Sequence, residues 1–268
     1  MNVRLKLVSN NQPNRKDITG KVAWITGASS GIGRSLAIRL AQSGWTVAAS
    51  ARNAAALEKL AAVLPGIIHP YPLDVTDRKA TAEALAAIEA NLAPVSLAVF
   101  GAGTYRRETL ASFDAGAIGE MVALNIMGTV NCLEAAMPPM VARRSGQIAV
   151  MASVAGYTGL PGAAGYGATK AALINMCEAL YPELERHGVR MTVINPGFVD
   201  TPLTQRNDFP MPFLISSEEA AGHILRGLDS GSFEIAFPWK MKMVMKLLQA
   251  LPPRLRFALT RRMLRNDA

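Results

Sequence analysis

Cysteine is nearly absent: Cys132 and Cys177 are the only two in 268 residues, and both fall in apolar stretches with helical spacing. That spacing fits neither a disulfide framework nor a thiolate metal site, so the pair reads as buried thiols of a protein kept in a reducing compartment. Histidine is scarce too. His69, His187 and His223 lie far apart in the chain and offer no ligand cluster, which argues against a metal site. No stretch reaches the ~18 apolar residues of a membrane-spanning helix. Residues 1–16 mix charge, Asn and Pro without the apolar core of a signal peptide. The expectation is therefore a cytoplasmic protein that starts with a short extension over residues 1–17. Internal repeats and low-complexity tracts are also missing.

Acid is absent from one segment. Residues 240–265 hold Lys240, Lys242, Lys246, Arg254, Arg256, Arg261, Arg262 and Arg265 with no Asp or Glu, while the rest of the chain balances 20 basic against 20 acidic residues. The net charge of +8 thus belongs to the tail. Half of the residues are hydrophobic and 18% are charged, a composition for one large globular domain with a full core.

Along the chain, short apolar runs alternate with longer helical ones, the pattern of βαβ units and a parallel sheet. Strands are expected at 22–26, 46–50, 67–73, 95–100, 147–151, 189–194 and 233–237. Helices are expected at 31–42, 54–63, 81–91, 115–137, 163–186 and 217–228, the last capped by Ser216 or Ser217 with Glu218 and Glu219 in its first turn. The fold class that follows is α/β, a doubly wound Rossmann fold with a seven-stranded, mostly parallel sheet and helices on both faces. Its domain spans 18–237, followed by a basic amphipathic tail over 238–268. Residues 198–216, rich in Pro, Phe and Met, read as an irregular lid.

Tyr166 and Lys170 stand four residues apart in a helical segment, so phenol and ammonium share one face. A cation near a phenol stabilises the phenolate and brings its pKa down towards the working range of a proton donor or acceptor. Upstream, Thr26-Gly27-Ala28-Ser29-Ser30-Gly31-Ile32-Gly33 follows a strand and opens a helix. Gly27 permits a tight turn, Gly31 lets the backbone approach a pyrophosphate, and Gly33 lets helix and strand pack closely. The helix N-terminus then offers free N–H groups to the anion. At the end of the second strand an NAD site places a carboxylate, whereas the 2′-phosphate of NADP needs cationic donors. Ser50-Ala51-Arg52-Asn53 contains no acid and one Arg, which selects NADP. Arg34 either adds to that field or is a solvated helix residue.

Taken together, TGASSGIG at 26–33, Ser153, YGATK at 166–170 and Pro196-Gly197 with Thr201 resemble the short-chain dehydrogenase/reductase family, in its compact single-domain branch, over about residues 18–237. The order and spacing of these motifs are far more specific than any one of them. The resemblance implies hydride transfer between a nicotinamide and a carbonyl or secondary alcohol. It gives Tyr166 the role of proton donor or base, Lys170 that of lowering the phenol pKa and holding the nicotinamide ribose, and Ser153 that of hydrogen-bonding the substrate oxygen. Asn125 corresponds to the residue that bends its helix around a relay water. For the cofactor it implies the turn residues Gly27, Ser29, Ser30, Gly31, Ile32 and Gly33, then Arg52, Asp74 on the adenine, and Ala102 and Gly103 along the fourth strand. Tyr166 and Lys170 complete that set with the loop residues Pro196, Gly197, Val199 and Thr201. Asp74 also reads as a turn residue, and Tyr157 as either a substrate-site or a packing residue.

The sequence departs from the family in one place. Where Asn-Asn-Ala-Gly is usual after the fourth strand, this chain has Phe100-Gly101-Ala102-Gly103, so the strand beside the site must be braced by other groups. Family members are commonly dimers or tetramers built on two long helices, which implies a homo-oligomer here. In the tail, Met241, Val244, Met245 and Leu248 recur with helical spacing beside Lys242, Lys246 and Gln249. Such a segment lies on an anionic membrane, covers the substrate pocket or makes a subunit contact. Met and Leu, in place of stacking aromatics, interleave its cations and argue against nucleic acid. The expected activity is NADP-dependent reduction of a hydrophobic, acyl or lipid-like carbonyl, or its reverse. The alternative is a non-catalytic NADP-binding scaffold or redox sensor.

Overall fold

The run Val22–Thr26 has no polar face to turn to water, and it becomes β1, the buried middle strand of a sheet. A computed structural model of the chain describes residues 21–264; the expected extension over 1–17 and Arg265 of the tail lie outside the described residues. With β1 run β2 (Thr46–Ala51), β3 (Ile68–Pro72), β4 (Val95–Phe100), β5 (Gly146–Met151), β6 (Val189–Pro196) and β7 (Glu234–Phe237). They pair in the order β3-β2-β1-β4-β5-β6-β7, and every pairing is parallel. This is the doubly wound Rossmann sheet read from the sequence, wholly parallel among the described strands. The order reverses between β1 and β4, which opens a crevice at the carboxyl ends of those strands.

Connecting helices are α1 (Gly31–Gln42), α2 (Ala54–Ala61), α3 (Arg78–Asn91), α4 (Ala115–Met121), α5 (Gly128–Arg143), α6 (Ala164–Arg186) and α7 (Ser217–Asp229). Alternation along β1 sends Val22 and Trp24 to one face of the sheet and Ala23 and Ile25 to the other. The first pair packs with Ile88 of α3, Leu133 of α5 and Leu173 of α6; the second packs with Leu36 of α1, Leu57 of α2 and Ile224 of α7. Cys132 and Cys177 are free thiols buried on the α5–α6 side. Ser216 is the cap of α7: its hydroxyl accepts from Glu219 N–H at 3.1 Å while the Glu219 carboxylate accepts from Ser216 N–H at 3.0 Å.

The helix expected over 115–137 departs from that reading twice. A π-helical segment, Val122–Met127, separates α4 from α5, and α5 runs through Pro138 and Pro139 to Arg143. Past the prolines it is anchored by Met140, which is buried, and by Arg143, which bonds Glu89 and the Val95 carbonyl, both at 3.1 Å. The combined run Ala115–Arg143 is long and apolar enough to cross a membrane by length and composition, contrary to the expectation that no stretch is. Its buried side chains pack on the sheet, so it serves here as a core helix.

The tail forms two helices, α8 (Trp239–Ala250) and α9 (Pro253–Arg261). Met241, Met245 and Leu248 are buried, and the two methionines pack with Val154, Tyr157 and Phe198. Glu234 of β7 fixes α8 in place: it accepts from Lys242 at 2.8 Å, lies 3.5 Å from Lys246 and accepts from the Tyr157 hydroxyl at 2.6 Å. Burial alone would raise its pKa, but the Lys242 and Tyr157 hydrogen bonds and both lysine charges hold it down to about 2. A carboxylate with a depressed pKa stabilises the fold above its unfolded value near 4.5, and that contribution fades as pH falls towards 2. Because Glu234 and its lysines are partly exposed and solvent screens them, Glu234→Gln should cost roughly 1 kcal/mol in urea unfolding at neutral pH, with the gap to wild type closing as pH drops below about 4.5.

Candidate active site

Seventeen of the eighteen residues singled out from the sequence as a site line one cavity of about 440 Å³ at the carboxyl end of the sheet. This is a volume typical of ligand sites. At one end lies the glycine turn. Gly27 has φ +73°, and a Cβ there would meet the Gly101 carbonyl carbon at 2.7 Å; a Cβ on Gly33 would overlap the Gly27 carbonyl oxygen. Only glycine lets β1, α1 and the strand-end at 101–103 approach so closely. The first turn of α1 has no acidic residue, Ser30 makes no side-chain cap bond, and Gly31, Ile32 and Gly33 line the cavity, so the helix N-terminus there is available to an anion.

The unusual Phe100-Gly101-Ala102 stretch has a visible substitute for the missing asparagines. Thr26, at the end of β1, accepts on its hydroxyl from Gly101 N–H at 3.1 Å and Ala102 N–H at 3.4 Å. Phe100 is buried edge-on against Trp24, whose indole N–H donates to Ser50 at 3.0 Å. Thr26 escaped the sequence reading because it looked like the last residue of an apolar strand.

Arg52 is exposed at the cavity rim, and Asn53 beside it caps α2 by accepting from Ala56 N–H at 3.0 Å. Asp74 lines the cavity, but its Oδ1 accepts from Thr76 N–H at 3.0 Å and the Thr76 hydroxyl at 2.8 Å, the contacts of a turn residue. The backbone bond from Thr76 is the main cause that lowers its pKa; the Thr76 hydroxyl and Arg52 add to this against burial.

At the far end, α6 carries Tyr166 and Lys170 on one face, with the ammonium 5.6 Å from the ring centroid. The ammonium donates to the Met151 carbonyl at 2.8 Å. Ser153, just beyond the end of β5, accepts from Ala155 N–H at 3.1 Å, donates to the Pro196 carbonyl at 3.3 Å and lies near enough to the Tyr166 phenol to pull its pKa down. Burial pushes Tyr166 up to about 12, with Ser153 pulling against it and Tyr105 adding to it. Burial pulls Lys170 down to about 8. The expected lowering of the phenol by the ammonium is therefore not what this geometry gives. Desolvation dominates, and the ammonium is turned towards Met151 instead of the phenol.

Asn125 is the one predicted site residue outside the cavity wall. It sits fully buried in the π segment, its Oδ1 accepting from Thr104 N–H at 2.8 Å and its Nδ2 donating to Thr104 O and Thr169 Oγ1, both at 3.0 Å. Its main-chain carbonyl accepts from the Thr129 hydroxyl at 2.8 Å. A Cβ on Gly103 would lie 3.2 Å from Asn125 Oδ1 and 3.7 Å from Lys170 Nζ, so the glycine leaves room for both. Tyr157, by contrast, points away from the cavity to Glu234 and has Lys246 over its ring at 4.2 Å. It is a packing residue.

Two neighbours of the site carried no sequence signal. Tyr105 stacks edge-on against Tyr166 with centroids 5.0 Å apart. Glu108, buried, accepts from Gly165 N–H at 2.7 Å and so caps the first turn of α6 from a distant loop, because Ala163 cannot. The irregular segment 198–216 closes over this end: Phe198 contacts Phe209, and Asp208 pairs with Arg107 at 3.0 Å.

Comparison with known proteins agrees with this geometry. The sequence model of the short chain dehydrogenase family matches residues 21–209. An uncharacterized oxidoreductase of Myxococcus xanthus is 36% identical over 250 residues, covering 92% of this chain and 99% of that protein. A 3-oxoacyl-(acyl-carrier-protein) reductase of Thermotoga maritima is 35% identical over 192 residues, 70% of this chain and 78% of that one. The crystal structure of a short-chain dehydrogenase from Streptomyces avermitilis superposes with TM-score 0.77 at 25% identity, over 90% of this chain and 96% of that one. By motif, fold and similarity, this chain belongs to the short-chain dehydrogenase/reductase family of oxidoreductases.

Proposed function

We propose that the chain is an NADP-dependent reductase of a hydrophobic carbonyl, able to run in reverse on the secondary alcohol. The observation that carries this reading is a buried phenol, beside Ser153 and one helical turn from Lys170, at the end of a cavity that begins at an uncapped helix N-terminus. Gly27, Ser29, Ser30, Gly31, Ile32 and Gly33 would hold the pyrophosphate, Arg52 the 2′-phosphate, and Pro196, Gly197, Val199 and Thr201 the nicotinamide end. When bound, the nicotinamide supplies or accepts the hydride.

The protein's own part is the proton. With its pKa pushed up to about 12, Tyr166 keeps its hydroxyl hydrogen at neutral pH, the form that donates to a carbonyl oxygen as negative charge builds there. The Ser153 hydroxyl, turning its one proton from the Pro196 carbonyl, would donate to the same oxygen, a bond that strengthens along the reaction. Lys170, its ammonium on the Met151 carbonyl one turn from the phenol, would hold the nicotinamide ribose and so place the cofactor against the substrate. Asn125 acts indirectly, by tying the loop at Thr104 to α6 at Thr169, next to Lys170 in the chain.

An acyl or lipid-like substrate is supported by the apolar 198–216 segment, where Phe198 meets Phe209, and by the similarity to a 3-oxoacyl reductase. The two free buried thiols support a reducing, cytoplasmic compartment. Exposed Val122 and Met127, where the π segment leads into α5, support assembly with further copies through the long helices.

The test is NADPH consumption against a panel of long-chain ketones, β-ketoacyl thioesters and small sugars, followed as a function of pH. A buried lysine with a lowered pKa loses its charge as pH rises through about 8. The reductive kcat/KM should hold level below that pH and fall above it. A profile flat through this range would remove Lys170 from the mechanism, and a preference for sugars would remove the hydrophobic substrate.

A further inference from the structure

Helix α8 carries two apolar faces where an amphipathic surface helix needs one. Met241, Met245 and Leu248 face inward and are buried. Trp239, Met243 and Leu247 recur every fourth residue and are 68%, 60% and 66% exposed. At 3.6 residues per turn, this second stripe lies on the opposite side of the helix from the first. Helix α9 extends the exposed surface with Leu255, Phe257 and Leu259. Nine of the seventeen large apolar side chains exposed among the described residues fall within 239–264, which marks a patch and not scattered surface.

The charge around that patch has one sign. Lys242 and Lys246 are engaged with Glu234. Lys240, Arg254, Arg256, Arg261 and Arg262 make no ion pair among the described residues, and residues 240–265 contain no acid. Lys240 lies 5.9 Å from the rings of both Trp239 and Phe213, so cation and aromatics meet at one edge.

We propose that the outward face of α8 and α9 docks on an anionic lipid surface, with Trp239, Met243 and Leu247 entering the headgroup boundary and the cations pairing with lipid phosphates. Charge selects this occupant. A symmetric contact with a second copy would set an acid-free basic segment against itself. Residues 1–20 hold four cations and one acid, so the chain's own N-terminal segment matches no better. Twelve residues of α8 are too few to span a bilayer but enough to lie in its surface. The inner face of the same helix reaches the cleft: a Cβ on Gly197 would lie 2.9 Å from Met241 Cγ. One helix then separates the bilayer from the site, which suits a substrate drawn from lipid.

The test is co-sedimentation of the full chain with vesicles of phosphatidylcholine alone or with about 30% phosphatidylserine, at low and high salt. Binding should favour the anionic vesicles by roughly tenfold or more and weaken with salt. The triple variant Trp239→Ser, Met243→Ser, Leu247→Ser should lower binding about tenfold, and so should replacing Arg254, Arg256, Arg261 and Arg262 by Gln. Both variants should oxidise NADPH with a water-soluble ketone at the wild-type rate. Vesicle binding needs no turnover, so the result stands whatever the substrate proves to be. Equal affinity for both vesicle types, no binding, or a triple variant that splits an oligomer in sedimentation velocity while still binding vesicles would overturn the proposal.

Discussion

Tyr166→Phe is expected to lower carbonyl reduction by on the order of 10³-fold while changing NADPH affinity by less than about threefold. The phenol lies at the end of the cavity away from the glycine turn, so removing one oxygen leaves the dinucleotide's contacts in place. It takes away the hydroxyl beside Ser153 and with it the proton owed to the substrate oxygen. The fold should tolerate the change. The lost hydroxyl is replaced by nothing larger, the ring keeps its edge contact with Tyr105, and Ser153 keeps its bonds to Ala155 and Pro196. Stopped-flow single turnover, with cofactor affinity measured by fluorescence, separates the two effects. Loss of cofactor binding in parallel with rate would show that Tyr166 is structural.

Arg52→Asp is the second large effect. Arg52 is exposed at the end of β2, and no acid stands in Ser50–Asn53 to receive a ribose 2′-hydroxyl. A charge-assisted bond to phosphate contributes about 1.5–3 kcal/mol, so its loss should weaken NADPH roughly a hundredfold. The introduced carboxylate adds repulsion to the phosphate but can accept from a free 2′-hydroxyl, so NADH affinity should hold or improve. Asp74 is pulled down in pKa in part by Arg52 and should move back up in the variant. Equal effects on both cofactors in titration calorimetry would mean that Arg52 does not read the phosphate.

Much of this arrangement is legible in the sequence because parallel strands buried on both faces are written as unbroken apolar runs, such as Val22–Thr26. The glycine turn and the Tyr166–Lys170 spacing are local, so they too can be read without tertiary information. What escaped depends on distant contacts. The π segment has no breaker residue in it; its irregularity accompanies Asn125, which reaches across to Thr104 and Thr169. Glu108 caps α6 from 57 residues away, and no capping signature next to the helix announces it. Thr26 does the bracing expected of asparagines because the backbone N–H groups of Gly101 and Ala102 come within reach of its hydroxyl. In the tail, helical spacing picked out Met241, Met245 and Leu248, the face that packs, but it also counted Val244, which is half exposed, and it missed the outward stripe of Trp239, Met243 and Leu247. Spacing also puts an ammonium beside a phenol without saying how much water each has lost, and it is that loss which sets both pKa values.

The most direct measurement is isotope tracing with NADPH carrying deuterium at the transferable C4 position, incubated with a long-chain ketone and the full protein. Wild type should yield an alcohol labelled with one deuterium on its carbinol carbon, and Tyr166→Phe almost no labelled alcohol at equal cofactor occupancy. Unlabelled alcohol, or undiminished labelling by the Phe variant, would contradict hydride transfer with Tyr166 as proton donor.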